Sequence, residues 1–195
     1  HQAASISSKI ESGIGSDDVP ANLIFSTNGG STSVTERMRI DSSGQVMIGC
    51  TSAPSASTTG FGVFEGGAGK NYILTSGGVT GTNEHHEFFN PNGKVGSITT
   101  NGTSTAFNTS SDYRLKENAV AISDGISRLK TLKPYRFNFK ADASQTLDGF
   151  FAHEVTAVPE AISGDKDAVK EDGSIEPQGI DQSKLVPLLV AAVQE

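Results

Sequence analysis

The glycines of this chain are unevenly placed, and that placement restricts what each half can fold into. Residues 1–110 hold 17 of the 22 glycines, 31 Ser or Thr residues and only 5 of the 15 Lys and Arg. Residues 111–195 hold 5 glycines, 10 basic and 14 acidic residues, and most of the long apolar runs. Glycine at the first density interrupts helices and marks turns, so the N-terminal stretch is expected to be short strands joined by tight turns. The C-terminal stretch reads as a mixed α/β globule, with the change of character near residue 110.

Within residues 1–110, Leu23-Ile24-Phe25-Ser26-Thr27 reads as a strand ended by the turn Asn28-Gly29-Gly30. Arg37-Met38-Arg39-Ile40-Asp41 alternates, with Met38 and Ile40 on one face; Ser42-Ser43-Gly44 turns, and Gln45-Val46-Met47-Ile48-Gly49 returns. Residues 51–60 are a Ser/Thr-rich, low-complexity linker. Phe61 and Val63 open a second β region, with strands expected at Tyr72-Ile73-Leu74, Glu87-Phe88-Phe89 and Lys94 to Ile98, and a tight turn at Pro91-Asn92-Gly93. A two-stranded unit cannot bury its own apolar face. Neighbouring chains are therefore expected to supply the missing core, as in an intertwined trimeric fibre, although the edge of a β-sandwich reads similarly.

Several function classes fall away. A formal net charge of −7 leaves no dominant basic face for a nucleic acid. One cysteine, Cys50, allows no internal disulfide framework or cysteine-based metal cluster and reads as a small buried apolar residue. No twenty-residue apolar run suggests membrane insertion, and no cofactor motif stands out. Gly66-Gly67-Ala68-Gly69-Lys70 resembles a phosphate loop, but Phe64 stands where a glycine is required and Asn71 where Ser or Thr should hold magnesium. His85 and His86 are weak metal candidates, because adjacent strand residues point to opposite faces. The opening His1 argues for a piece of a longer protein.

The densest cluster of chemistry-bearing side chains is Ser110-Ser111-Asp112-Tyr113-Arg114-Leu115-Lys116-Glu117-Asn118. It places a hydroxyl, a carboxylate, a guanidinium and an amine within six residues, Ser111 to Lys116. A serine is activated by a nearby lysine only where that amine is held neutral. Spacing alone equally allows a polar linker in which Ser111 or Asp112 starts the next element. Beyond it, Val120 and Ile122 read as a short strand, and Ser123 or Asp124 caps a helix bearing Ile126, Leu129 and Leu132. Pro134 stops that helix, and Tyr135, Phe137 and Phe139 alternate along a half-buried strand. Gly149 to Ala152 reads as a further strand passing into a helix from His153 to Val158, closed by Pro159. A hairpin turns at Glu171-Asp172-Gly173. Asp181 caps a last helix with a stripe of Leu185, Leu188, Leu189, Ala192 and Val193, which is still running at Glu195 and prone to form a coiled coil.

Two resemblances attach to these stretches. Glu36 to Gly49 resembles a segment that recurs in bacteriophage tail fibres and tailspikes, with Met47 and Cys50 departing from the usual ending. More extensively, four ordered stretches of 111–195 resemble the intramolecular chaperone domain of phage tailspikes, the peptidase S74 family. They are Ser111 to Asn118, Leu132 to Phe139, Gly149 to Val155, and Ile180 to Leu189, with His153 standing where the family usually has Gln.

The resemblance implies an all-β, intertwined trimeric stalk (1–60) and tip (61–110), the tip a candidate receptor-binding region. A mixed α+β chaperone and self-cleaving domain (111–195), ending in a long helix, would follow. It implies a homotrimer that folds the stalk, then cuts between Ser110 and Ser111. Ser111 would be the nucleophile and Lys116 its general base, with Asp112 and Arg114 either supporting the chemistry or forming a structural ion pair. The fibre left behind would bind a host surface receptor or glycan as part of the virion. The alternatives are a permanent, non-cleaving trimerisation module and a glycan hydrolase, for which residues 1–110 offer no cleft with paired carboxylates.

Overall fold

The computed structural model of the chain describes residues 2–11 and 19–195; residues 1 and 12–18 of the expected stalk segment lie outside the described residues. Two units emerge, His1–Leu115 and Lys116–Glu195.

The turn at Asp41 shows how the first unit is built. Its carboxylate accepts from the amides of Ser43 and Gln45 at 3.0 and 2.9 Å, and Gly44 closes the turn at φ +78°, a conformation that glycine adopts without strain. Six strands form one antiparallel meander: β1 Ala4–Ile10, β2 Ala21–Thr27, β3 Thr35–Ile40, β4 Val46–Ile48, β5 Gly60–Gly66 and β6 Lys70–Ser76. Because β5 opens at Gly60 and pairs with β4, the sheet continues across the low-complexity stretch 51–60. The division expected at residue 60 therefore falls at the start of a paired strand. Cys50 is half-buried and not fully buried as expected; its Sγ lies 3.7 Å from the carbonyls of Ile48 and Phe61.

Register lines the apolar residues of this sheet into two adjacent rows on one face. Ile6 pairs with Phe25, then Met38, Ile48 and Phe61; Leu23 pairs with Ile40, then Val46, Val63 and Ile73. The opposite face buries Ile24, Met47 and Phe64. The two rows remain open, Ile6 at 70 % and Ile73 at 65 % exposure. Alternation along each strand, combined with in-register pairing, makes such a one-sided face unavoidable.

A second sheet in this unit contains β7 Asn83–Asn90, β8 Gly93–Asn101 and β9 Ser104–Thr109. The turn at Pro91-Asn92 joins the first two, as expected. The third strand has no apolar alternation to announce it; the Asn101-Gly102 turn, with Gly102 at φ +57°, brings it back onto β8.

In the second unit, residues 116–124 form no strand, so the one expected around Val120 and Ile122 is absent; no strand is paired with them. Helix α1 Gly125–Leu129 follows, and then a hairpin of β10 Tyr135–Phe139 and β11 Asp142–Gly149. The strand expected at Gly149 to Ala152 is only the end of β11. The expected helix from His153 to Val158 is replaced by two 3-10 turns, Ala152–Glu154 and Pro159–Ala161, because Pro159 opens the second turn rather than closing the first. The hairpin expected around Asp172 reduces to one bridge, Val169 with Ile175. Two-residue strands β12 Ile162–Ser163 and β13 Gly179–Ile180 pair before a 3-10 turn at Gln182–Leu185, where Asp181 accepts from the Ser183 amide.

Helix α2 Val186–Gln194 completes the unit. Its inward face is Leu188 and the half-buried Ala191 and Ala192, and Leu188 joins Val155, Val158, Ala161 and Leu185, the residue before the helix, in the core. The expected stripe therefore splits. Leu189 and Val193 lie on the outer face with Val186 and Val190, all exposed. Within the described residues the helix has nine residues.

Candidate functional site around Ser110 and Ser111

The β8–β9 ladder ends with the pair Gly96 and Thr109. Ser110 adds one more rung: its amide donates to the carbonyl of Val95 at 3.1 Å, and its Oγ donates to the carbonyl of Lys94 at 3.1 Å. The Lys94 side chain pairs with Glu84 and with Glu87 of β7, the latter at 2.6 Å. These bonds fasten the residue before the Ser110–Ser111 peptide to the middle strand of the sheet.

The residues after that peptide are held by a different device. Asp112 Oδ1 accepts from the amide of Arg114 at 2.9 Å and from its Nε at 3.0 Å, while Oδ2 accepts from Nη2 at 2.6 Å. The Leu115 amide donates to the Asp112 carbonyl, closing a 3-10 turn over Tyr113–Leu115. An aspartate that binds the backbone two residues on makes such a turn by itself, and the planar fork of Arg114 completes it. The Arg114 side chain, and secondarily its amide, hold the Asp112 carboxyl below its usual range. Asp112 and Arg114 are thus brought together as an ion pair.

Ser111 is exposed and belongs to the first unit; Lys116 is exposed and begins the second. Asn118 takes φ +53°, a left-handed conformation that asparagine tolerates better than most residues. Nothing in the residue pattern singles out this position, nor the Lys94 and Val95 carbonyls, because no side-chain pattern reveals a backbone acceptor.

The two histidines are not brought together. His85 is half-buried, with Nδ1 2.7 Å from Thr75 Oγ1 and Nε2 2.9 Å from Thr100 Oγ1, so both ring nitrogens are engaged within the protein. His86 is exposed, at the next position of the strand. A concavity of about 1060 Å³ lies in the second unit beside Phe139, Phe151, Val169 and Ile175 and includes none of residues 110–116.

The stretches expected to mark the second unit also meet. Lys133 Nζ lies 3.2 Å from Glu154 Oε1, and the Tyr135 hydroxyl, with Lys133, holds the Glu154 carboxyl below its ordinary value. Tyr135 stacks near Phe151 at 4.8 Å between ring centres. These contacts join Leu132–Phe139 to Gly149–Val155 as structure.

Compared with protein families, residues 111–163 match the peptidase S74 model, described as the chaperone of endosialidase. Over these residues the chain is similar to the chaperone-of-endosialidase family. The match begins on Ser111, directly after the rung that Ser110 adds to β9. It takes in the Ser111 to Asn118, Leu132 to Phe139 and Gly149 to Val155 stretches, while Ile180 to Leu189 lies beyond its end. Compared with curated proteins and with solved structures, the chain matches none. Among the described residues, no helix is long and apolar enough to cross a membrane.

Proposed function

We propose that this chain is the C-terminal region of a phage tail fibre or tailspike. Residues 111–195 trimerise it, assist folding of the β-rich residues 1–110, and then sever themselves between Ser110 and Ser111. The observation that carries this reading is the start of the chaperone-of-endosialidase match on Ser111, at the end of a folded sheet.

The chemistry is a single turnover. Ser111 Oγ attacks the carbonyl carbon of Ser110 as Lys116, acting as general base, takes the hydroxyl proton. The Ser110–Ser111 C–N bond breaks, the Ser111 nitrogen leaves with a proton as an amine, and an ester joins Ser110 to Ser111 Oγ. Water then hydrolyses the ester, giving a Ser110 carboxylate and restoring the Ser111 hydroxyl. Asp112 and Arg114 hold the turn that presents Ser111.

Exposed apolar surface supports self-association. The open rows of the six-stranded sheet and the outer face of α2 supply apolar surface for it. Loss of the chaperone after cutting would leave the intertwined fibre kinetically trapped. The freed fibre would serve host attachment in the virion, with the tip meeting a receptor or glycan.

Intact-mass measurement of denatured wild type and Ser111→Ala tests the reading. Two fragments joined at 110/111 in the wild type and one full-length chain in the variant support it. An intact wild type overturns cleavage and leaves a permanent trimerisation module.

A further inference from the structure

We infer that Ser110 is a positioning residue that couples the cut to completion of the β7–β8–β9 sheet. The inference rests on the cleavage reading and adds to it the device that regulates when the cut occurs.

The two sides of the Ser110–Ser111 peptide are held by different kinds of bond. Upstream, Ser110 is fixed at two points, its amide on the Val95 carbonyl and its Oγ on the Lys94 carbonyl. Both acceptors are backbone atoms of β8, far back in the chain. They exist at this spot only when β8 and β9 have paired from Asn101–Ser104 back to Gly96–Thr109. Downstream, Asp112 and Arg114 close their turn from local bonds alone. The downstream anchor therefore forms early, whatever the state of the sheet, and the upstream anchor forms last.

An acyl shift within one residue needs the attacking oxygen and the carbonyl carbon in near-attack geometry, and fixing such geometry is worth orders of magnitude in rate. With the Asp112 turn alone, Ser110 has no anchor on β8; with Ser110 seated there, the Ser111 backbone lies between two fixed points. A chain whose tip sheet is unzipped at this end lacks the second point and cuts slowly. The check sits in the last rung of the ladder, where misregister anywhere along β8–β9 would show: a slip of one residue moves Ser110 off both carbonyls. The Lys94 pairs with Glu84 and Glu87 tie the same β8 end to β7, so all three strands bear on the anchor.

Two variants of the full chain separate this role from a purely structural one. Ser110→Ala removes the Oγ bond and retains the amide; Ser110→Thr keeps both. After refolding from denaturant, the fraction of cut chain is followed by intact mass. Ser110→Ala is expected to cut about five- to tenfold more slowly, as loss of one such hydrogen bond implies, with Ser110→Thr near the wild-type rate. In the uncut Ser111→Ala chain, the Ser110 amide should exchange as slowly as those of β9. Cutting of Ser110→Ala at the wild-type rate, or a Thr variant as slow as the Ala one, overturns the inference while leaving cleavage intact. A fast-exchanging Ser110 amide overturns it independently of any cutting. An uncut wild type with a protected Ser110 amide overturns the cleavage reading, and the coupling falls with it.

Discussion

The amide of Gly125 donates to Glu195 Oε1 at 2.6 Å, and the neighbouring Ile126 amide donates to Oε2 at 3.0 Å. A carboxylate from the end of α2 thus satisfies the first amides of α1, a place that Asp124, the residue before the helix, does not fill with its own side chain. The two helices can approach this closely because residue 125 has no side chain. A Cβ there would lie 2.6 Å from the Ala192 nitrogen and 2.8 Å from the Ala191 carbonyl carbon.

Gly125→Ala should therefore destabilise the second unit although alanine is the better helix former. Steric overlap with backbone atoms cannot be relieved by rotating a side chain, so the cost is about 1–3 kcal/mol. Urea unfolding of Gly125→Ala beside wild type checks this. Equal midpoints would mean that α1 and α2 part easily.

The two faces of α2 should respond differently to truncation. Leu188 is 2 % exposed and its loss leaves a cavity, so Leu188→Ala should cost about 3 kcal/mol of stability. Val193 is 85 % exposed within one chain. Val193→Ser should leave the fold of that chain intact and weaken self-association, read as a lower molar mass by light scattering on dilution. An unchanged mass would remove α2's outer face from self-association.

The open face of the six-stranded sheet makes a parallel case. Val63 lies in the row from Leu23 to Ile73, and a lysine there would place a charge in any interface covering the row. Val63→Lys should retain the β circular dichroism of the chain while shifting sedimentation toward monomer. A trimer as tight as wild type would show that this face is solvated in the assembly.

Acid should loosen the β7–β8 end of the three-stranded sheet. Lys94 holds the Glu87 carboxyl below its ordinary 4.5, so Glu87 adds stability above that value and loses it as pH falls through the lowered pKa. Glu84 and then Glu87 hold the Lys94 ammonium above its ordinary 10.5; that contribution is complete below 10.5 and fades only as pH rises through the raised value. Lys94→Met should flatten the acid limb of a melting profile taken from about pH 7 to about pH 3, and salt should shrink the difference because these groups are exposed. Parallel acid limbs in the two proteins would remove Lys94 as the cause.

Local turns were the most legible feature of the fold. Asp112, Asp142, Asp172 and Asp181 each accept an amide two residues ahead, and three of the four have serine at that position. These bonds involve only chain neighbours, so the turn at Asp172 and the cap at Asp181 were legible, whereas the Asp142 turn was not anticipated. Strand β9 was not legible because its Ser, Thr and Asn residues carry no alternating apolar signal, and it is held by pairing with β8. The Val120 and Ile122 alternation misled for the converse reason: a strand pattern without a partner strand remains irregular.

The sequence by itself determined the turn at the junction, since Asp112 and Arg114 stand two residues apart and close it with local hydrogen bonds. It also determined where the chain changes character, because glycine spacing governs which backbone shapes are accessible. Only the tertiary structure decided that Ser110 rests on the carbonyls of Lys94 and Val95, that Glu195 closes α1, and which side of the six-stranded sheet remains open. Each of those contacts joins residues far apart in the chain. Its geometry follows from strand register and helix packing, which a linear pattern constrains but does not choose.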